Sequence, residues 1–145
     1  MSPSPSGRQP SHPGLRALVI DDEGAIRRVL RRYLERAGWQ VDEALDGASA
    51  GAKLFQVGST YDLVICDLNL PDCTGLDLRR ELDARAPELL DRFVVSTGES
   101  AEGSGALSGA EARELMMSGH LLAKPFSLDD LGALLRKVPT AVAAA

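Results

Sequence analysis

Cysteine is scarce in this 145-residue chain, which holds only Cys66 and Cys73. Two thiols cannot make a disulfide framework, and no His or Cys partners give them zinc-ligand spacing. Cys66 is therefore expected to act as a small buried hydrophobe. Long apolar runs are also missing. No stretch reaches the length that crosses a bilayer, and the first residues, MSPSPSGRQPSHPG, lack the apolar segment of a signal peptide. A cytoplasmic protein with no membrane contact is expected. Positive charge is in deficit: 16 Lys and Arg stand against 21 Asp and Glu, for a net charge of −5. That balance argues against direct DNA binding, which favours a basic footprint. There is no internal repeat. What is present, 44% hydrophobic and 26% charged residues, is ordinary for a globular chain long enough to bury one core.

Four of the eight prolines fall before residue 14. Residues 1–13 are expected to be a disordered Pro/Ser-rich tail, residues 14–139 the domain, and residues 140–145 a frayed tail. Within the domain, apolar runs alternate with helical patterns. RALVI (16–20) is a continuous apolar run that stops at acids, as a doubly covered parallel strand does. Ile26, Val29, Leu30, Tyr33, Leu34 and Ala37 then recur at helical steps, with Gly38 as the stop. QVDEAL (40–45) suggests a strand and residues 47–57 a weaker helix, since Ser49 and Gly51 are poor interior formers. YDLVIC (61–66) is a buried strand, followed by the turn-rich DLNLPDCTG and a helix over 75–85 that ends before Pro87. RFVVST (92–97) and HLLA (120–123) complete five strands. Between them, ESAEGSGALSGAE is loop chemistry. Ser108 and Glu111 have capping-box spacing for a fourth helix running to about Ser118. The last helix opens at Ser127, with Leu128, Leu131, Leu135 and Val138 on one face. Five strand-then-helix units imply an α/β fold, a parallel sheet with right-handed crossovers and helices on both faces. Ligands in such folds bind beyond the carboxyl ends of the strands.

Those ends carry chemistry. The first strand runs into Asp21, Asp22 and Glu23, the third into Asp67, the fourth into Thr97, and the fifth into Lys124 and Pro125. Singly each has an ordinary explanation: a cap, a solvated loop, a strand hydroxyl, a snorkelling lysine. Jointly they suit one reaction type. Clustered carboxylates repel one another, a conflict that a divalent cation resolves, and Mg²⁺ takes a few carboxylates, waters and phosphate oxygens. A carboxylate can itself receive a phosphoryl group. Phosphoryl transfer mainly needs positioning and charge neutralisation, for which Lys124 offers a compact cation and Thr97 a hydroxyl.

The segments LVIDDE, VICDLNLPDCTG, VVSTGE and LLAKPF, in that order, resemble the motifs of bacterial response-regulator receiver domains, the CheY-like family, over roughly residues 15–138. The resemblance implies a flavodoxin-like doubly wound five-stranded parallel sheet with strand order 2-1-3-4-5. It implies that Asp67 is the phosphoacceptor. Asp22 would be the main Mg²⁺ ligand, with Asp21 assisting through water, and Asp67 and the backbone carbonyl of Asn69 would complete the metal set. Thr97 and Lys124 would bind the phosphoryl group, and the Lys124–Pro125 bond would be cis. The implied partners are a histidine kinase or histidine phosphotransfer protein and a downstream effector. The protein would be a phosphoacceptor switch in a two-component phosphorelay, limited as a catalyst to self-phosphorylation from small donors and self-dephosphorylation. It could be a stand-alone regulator or the receiver of a hybrid kinase.

Two departures stand out. Many receivers carry an aromatic residue three positions before the lysine; here it is Leu121, preceded by His120. The Gly/Ser-rich segment after Thr97 is also longer than usual, and Glu99 to Leu107 is expected to be mobile at rest. Asn69 and Glu99 occupy positions where similar receivers tune water access, and Gly98 leaves that side open. Arg27, Arg28, Arg31, Arg32 and Arg36 share the polar face of the first helix, either as a solvated face or as a docking surface for the phosphodonor. Two other classes compete: a Mg²⁺-dependent aspartyl-nucleophile phosphohydrolase and a phosphorylation-independent interaction module. Asn69 stands where haloacid-dehalogenase-like hydrolases need a second acid, and the full acid, hydroxyl and lysine set is superfluous in a plain interaction module. A flavin carrier would need a phosphate-binding loop where IDDEGA stands.

Overall fold

Buried β-branched and leucine-rich segments make five short strands: β1 (Arg16–Ile20), β2 (Gln40–Ala44), β3 (Leu63–Asp67), β4 (Phe93–Thr97) and β5 (Leu121–Ala123). The computed structural model describes residues 15–58, 60–98 and 109–137. The expected tails at 1–13 and 140–145, the segment from Glu99 to Leu107, and the helix positions Ser108 and Val138 lie outside those residues. All strand pairings are parallel, in the order β2-β1-β3-β4-β5. Every residue of β3 and β4 is buried, whereas the edge strands β2 and β5 are only partly so. A strand covered on both faces has no solvent side, so its sequence does not alternate.

The pleat divides the core in two. Ala17, Val19, Leu63, Ile65, Val94 and Leu122 pack with Leu30 and Leu34 of α1 (Gly24–Arg36) and with Leu131 and Leu134 of α5 (Leu128–Lys137). Leu18, Ile20, Val64, Cys66, Phe93 and Val95 face the other side. There they meet α2 (Gly47–Leu54), α3 (Gly75–Arg85) and α4 (Gly109–Ser118). The doubly wound architecture expected from the alternation of elements is the observed one, and Cys66 is a buried free thiol.

Local chemistry sets the boundaries. Gly38, at φ +97°, turns the chain out of α1. Reciprocal capping boxes open α2 (Asp46 with Ser49) and α3 (Thr74 with Asp77). Ser127 and Asp130 exchange the same pair of hydrogen bonds at the start of α5. Helix α2 stops at Leu54 instead of reaching 57: Phe55 turns out to lie beneath Arg85, whose guanidinium carbon is 3.9 Å from the ring centroid. Strand β3 begins at Leu63 and not at Tyr61, because the Asp62 carboxylate turns back to accept from the Arg16 amide at 2.9 Å. Pro87 starts a short 3-10 turn, Pro87–Arg92, between α3 and β4. His120 is not in β5; its ring bridges the Ser118 hydroxyl and the Asp91 carbonyl at 2.8 and 2.7 Å.

Phe93 is fully buried between the sheet and the α2–α4 layer. Phe93→Ala is expected to destabilise the domain by about 3–5 kcal/mol through the cavity it opens, measured by urea denaturation.

Candidate functional site

At the carboxyl edge of the sheet the register brings the acids together. Ile20 pairs with Cys66, so the residues that follow, Asp21 and Asp67, emerge side by side on adjacent strands. Asp21 is 1% exposed and Asp67 7%, while Asp22 lies open to solvent. One carboxylate oxygen from each of Asp21, Asp22 and Asp67 lies within 4.8 Å of the others. Lys124 reaches this cluster from just beyond β5, two strands away from Asp67's own strand β3. Its ammonium donates to Asp21 Oδ2 at 2.9 Å, lies 3.4 Å from Asp67 Oδ1 and is 4.0 Å from the exposed Glu23. The peptide bond that follows it, Lys124–Pro125, is cis.

The electrostatics follow from burial and neighbours. Burial first, and the Asp21 charge second, push the Asp67 carboxyl above its ordinary value; Lys124 and the Asn69 amide only partly oppose this. Burial by itself would lower the Lys124 ammonium. Its hydrogen bond to Asp21 and the charges of Asp67 and Asp21 outweigh that, leaving the group raised and firmly cationic.

Asn69, exposed, hydrogen-bonds through its backbone amide to the Asp67 carboxylate. Thr97 is buried at the end of β4 and donates to the Gly98 carbonyl at 3.2 Å. It continues the row of Phe93 and Val95, whereas Asp67 continues the row of Leu63 and Ile65 on the other face. Thus Asp21, Asp22, Asp67 and Lys124 are gathered directly, and Thr97 and Asn69 flank them. Glu99 lies outside the described residues. Leu121 packs against the α2–α4 side of the core.

Several contributors were not singled out from sequence. Gly75 has no room for a side chain: a Cβ there would lie 2.8 Å from the Asp67 carbonyl oxygen, and its amide donates to Leu68 O at 2.7 Å. Ser96, paired in register with Asp67, is buried beside it. The Asp72 carboxylate accepts from the Gly47 and Ala48 amides at 2.7 and 3.0 Å and so ties the loop after β3 to the start of α2. Glycine in a turn and an acid near a helix start were visible in the sequence, but their long-range partners were not. The arginine face of α1 also divides. Arg27 and Arg31 turn toward Glu43 on β2, while Arg28, Arg32 and Arg36 are exposed.

The donor set suits a hard cation. The three groups that could hold one are all carboxylates. A buried, mutually repelling pair of acids beside a free-facing third one is what a small divalent ion neutralises. Fold and site together define an aspartate-centred acidic pocket on a flavodoxin-like sheet.

The family described as "Response regulator receiver domain" matches residues 17–136. This chain belongs to that family and is a receiver domain of the two-component phosphorelay type. It is 36% identical over 111 residues to the transcriptional regulatory protein ResD of Bacillus subtilis, covering 76% of this chain and 42% of that protein. It is also 36% identical over 128 residues to the aerobic respiration control sensor protein ArcB of Escherichia coli, covering 86% of this chain and 15% of that one. The chain thus spans less than half the length of these curated relatives. Among solved structures, a receiver domain from Methylobacillus flagellatus superposes with a TM-score of 0.68 at 30% identity, covering 86% of this chain and 98% of that one. The response regulator TrrA of Thermotoga maritima, in complex with Mg²⁺-BeF, gives a TM-score of 0.64 at 26% identity, covering 86% and 99%. No helix among the described residues is long and apolar enough to cross a membrane.

A testable consequence concerns stability. Because the Asp67 carboxyl is held above its ordinary value, the folded state binds that proton more tightly than the unfolded state does. Stability is therefore lost as pH rises through the carboxylate range. Asp67→Asn removes the buried charge, so in metal-free buffer at pH 7 the variant is expected to be more stable by on the order of 1 kcal/mol. The difference should shrink as pH falls through the carboxylate range and Asp67 takes up its proton. Thermal denaturation of both proteins across pH 3–8 checks this.

Proposed function

We propose that Asp67 is the phosphoacceptor, taking a phosphoryl group from a phosphohistidine on a kinase or phosphotransfer protein in the cytoplasm. The observation that carries this reading is the cluster of Asp21, Asp22 and Asp67 with the Lys124 ammonium 3.4 Å from Asp67 Oδ1. Asp67 is the one acid of the cluster that ends a central strand, walled by β1 and β4. An oxygen of its carboxylate forms the new P–O bond as the P–N bond to the donor imidazole breaks, and the imidazole departs with the electron pair. Asp21, Asp22 and Asp67, with the Asn69 carbonyl, would hold Mg²⁺. The ion supplies charge neutralisation for the carboxylates and the phosphoryl oxygens when bound.

Lys124 is already charged and already in place. As Asp67 loses its negative charge to the acyl phosphate, the ammonium keeps Asp21 as an anchor and turns toward a phosphoryl oxygen. The Thr97 hydroxyl, now spent on the adjacent Gly98 carbonyl, is free to rotate and donate to another oxygen. Asn69, next to the nucleophile, is placed to govern the approach of water and hence the lifetime of the phosphorylated form. The exposed Arg28, Arg32 and Arg36, with the half-exposed Val29 among them, lie along α1, the helix that begins beside the acids, and form a face on which the phosphodonor can dock. The switch then alters binding of a downstream effector, and its own catalysis is confined to taking phosphoryl groups from small donors and releasing them to water.

Intact-mass analysis after incubation with acetyl phosphate and Mg²⁺ tests the assignment. Wild-type protein should gain one phosphoryl group, Asp67→Asn none, and Asp22→Ala at most a few per cent. A phosphorylated Asp67→Asn protein would move the acceptor to another residue.

A further inference from the structure

We infer that Arg27 is a positioning residue for the metal-binding turn, acting through the Asp21 backbone and not as part of a docking surface. This inference rests on the Mg²⁺ reading of the acidic cluster and extends it to a residue outside the ligand set.

The turn that carries the acids is short and sparsely held. Asp21 donates its amide to Ala44 O on β2 at 3.1 Å, and its side chain accepts from the Glu23 amide at 2.9 Å. The Asp21 carbonyl accepts from Arg27 Nη1 at 2.7 Å. That carbonyl belongs to the peptide joining Asp21 to Asp22, so the arginine fixes the plane from which the Asp22 side chain departs. Asp22 itself is exposed. An open carboxylate whose direction is set by its backbone depends on whatever immobilises that backbone.

Arg27 is immobilised in its turn. Its Nε donates to Glu43 Oε1 at 2.9 Å, and the other oxygen of Glu43 is taken by Arg31. Arg27 and Glu43 side chains are only 21% and 25% exposed. Strong hydrogen bonding to the Arg31 guanidinium, with Arg27 second, holds the Glu43 carboxyl below its usual range, so the anchor stays anionic at neutral pH. The planar guanidinium suits this task, because one edge meets the carboxylate while another donor meets the carbonyl. An ammonium has no such fork. Groups that orient metal ligands from outside the ligand set typically change metal affinity ten- to a hundredfold when lost.

Charge makes the test decisive. Removing a cation near a cation site should, by Coulomb's law alone, tighten Mg²⁺ binding. A positioning role predicts the opposite sign. Mg²⁺ titrations of the full chain, followed by amide NMR shifts of residues 21–23 and 67–69, are expected to give an Arg27→Ala protein about tenfold weaker than wild type. Arg27→Lys, which keeps the charge but cannot span both partners, should also bind more weakly. Should the alanine variant fail to fold, the lysine variant carries the same test. Arg31→Ala also breaks an ion pair to Glu43 and should lower the melting temperature comparably, yet shift Mg²⁺ affinity less than about twofold, within the range of a lost exposed pair. Equal or tighter Mg²⁺ binding by the folded Arg27 variants overturns the inference, as do equal losses in the Arg27 and Arg31 variants. Wild-type protein with no Mg²⁺-dependent shifts overturns the metal reading and this inference with it.

Discussion

Asp21 and Asp67 leave adjacent parallel strands at the same level, both nearly inaccessible to water, and the Lys124 ammonium lies against the two of them. Two buried carboxylates this close repel strongly in a low-dielectric setting, and each also loses its hydration. The lysine offsets part of that cost. It cannot offset all of it, which is why the Asp67 carboxyl remains elevated despite its cation. The rest of the pocket follows from that residual imbalance. An incompletely neutralised site attracts a further cation.

The fold exists to hold this unfavourable arrangement still. Strands β1, β3 and β4 are clamped between two apolar layers, one with α1 and α5 and one with α2, α3 and α4. Their carboxyl ends have little freedom to relax the repulsion by moving apart. The glycine at the start of α3 lets that helix press on the Asp67 carbonyl, and Asp72 ties the same loop to α2. On the other side, Arg27 holds the Asp21 carbonyl against the edge strand. The electrostatic cost of the site is thus borne by many contacts that are individually modest.

The relatives put this domain in a signalling class. It resembles part of a transcriptional regulator and part of a sensor protein about equally well, at 36% identity in each case. That equivalence has a physical basis. A site built on strand ends is carried by the fold itself, so proteins of different overall length can share it.

Much of this was legible in the sequence because it is local. Apolar runs that stop at acids gave β1 and β3, three-and-four spacing gave α1, and Ser127 with Asp130 gave the start of α5. Asp21, Asp22, Asp67, Thr97 and Lys124 were identifiable as a set because strand-end positions in a parallel sheet converge. What the tertiary structure alone decided concerns partners distant in sequence. The truncation of α2 depends on Arg85 receiving Phe55. The late start of β3 depends on Asp62 meeting Arg16. The arginines of α1, one uniform polar face by helical spacing, separate into inward and outward groups only because Glu43 stands on the neighbouring edge strand. Residue identity and spacing fix which groups a short segment can offer. Which of them is spent on another segment is settled by packing, since a charge approaching a buried surface must find its counter-charge there.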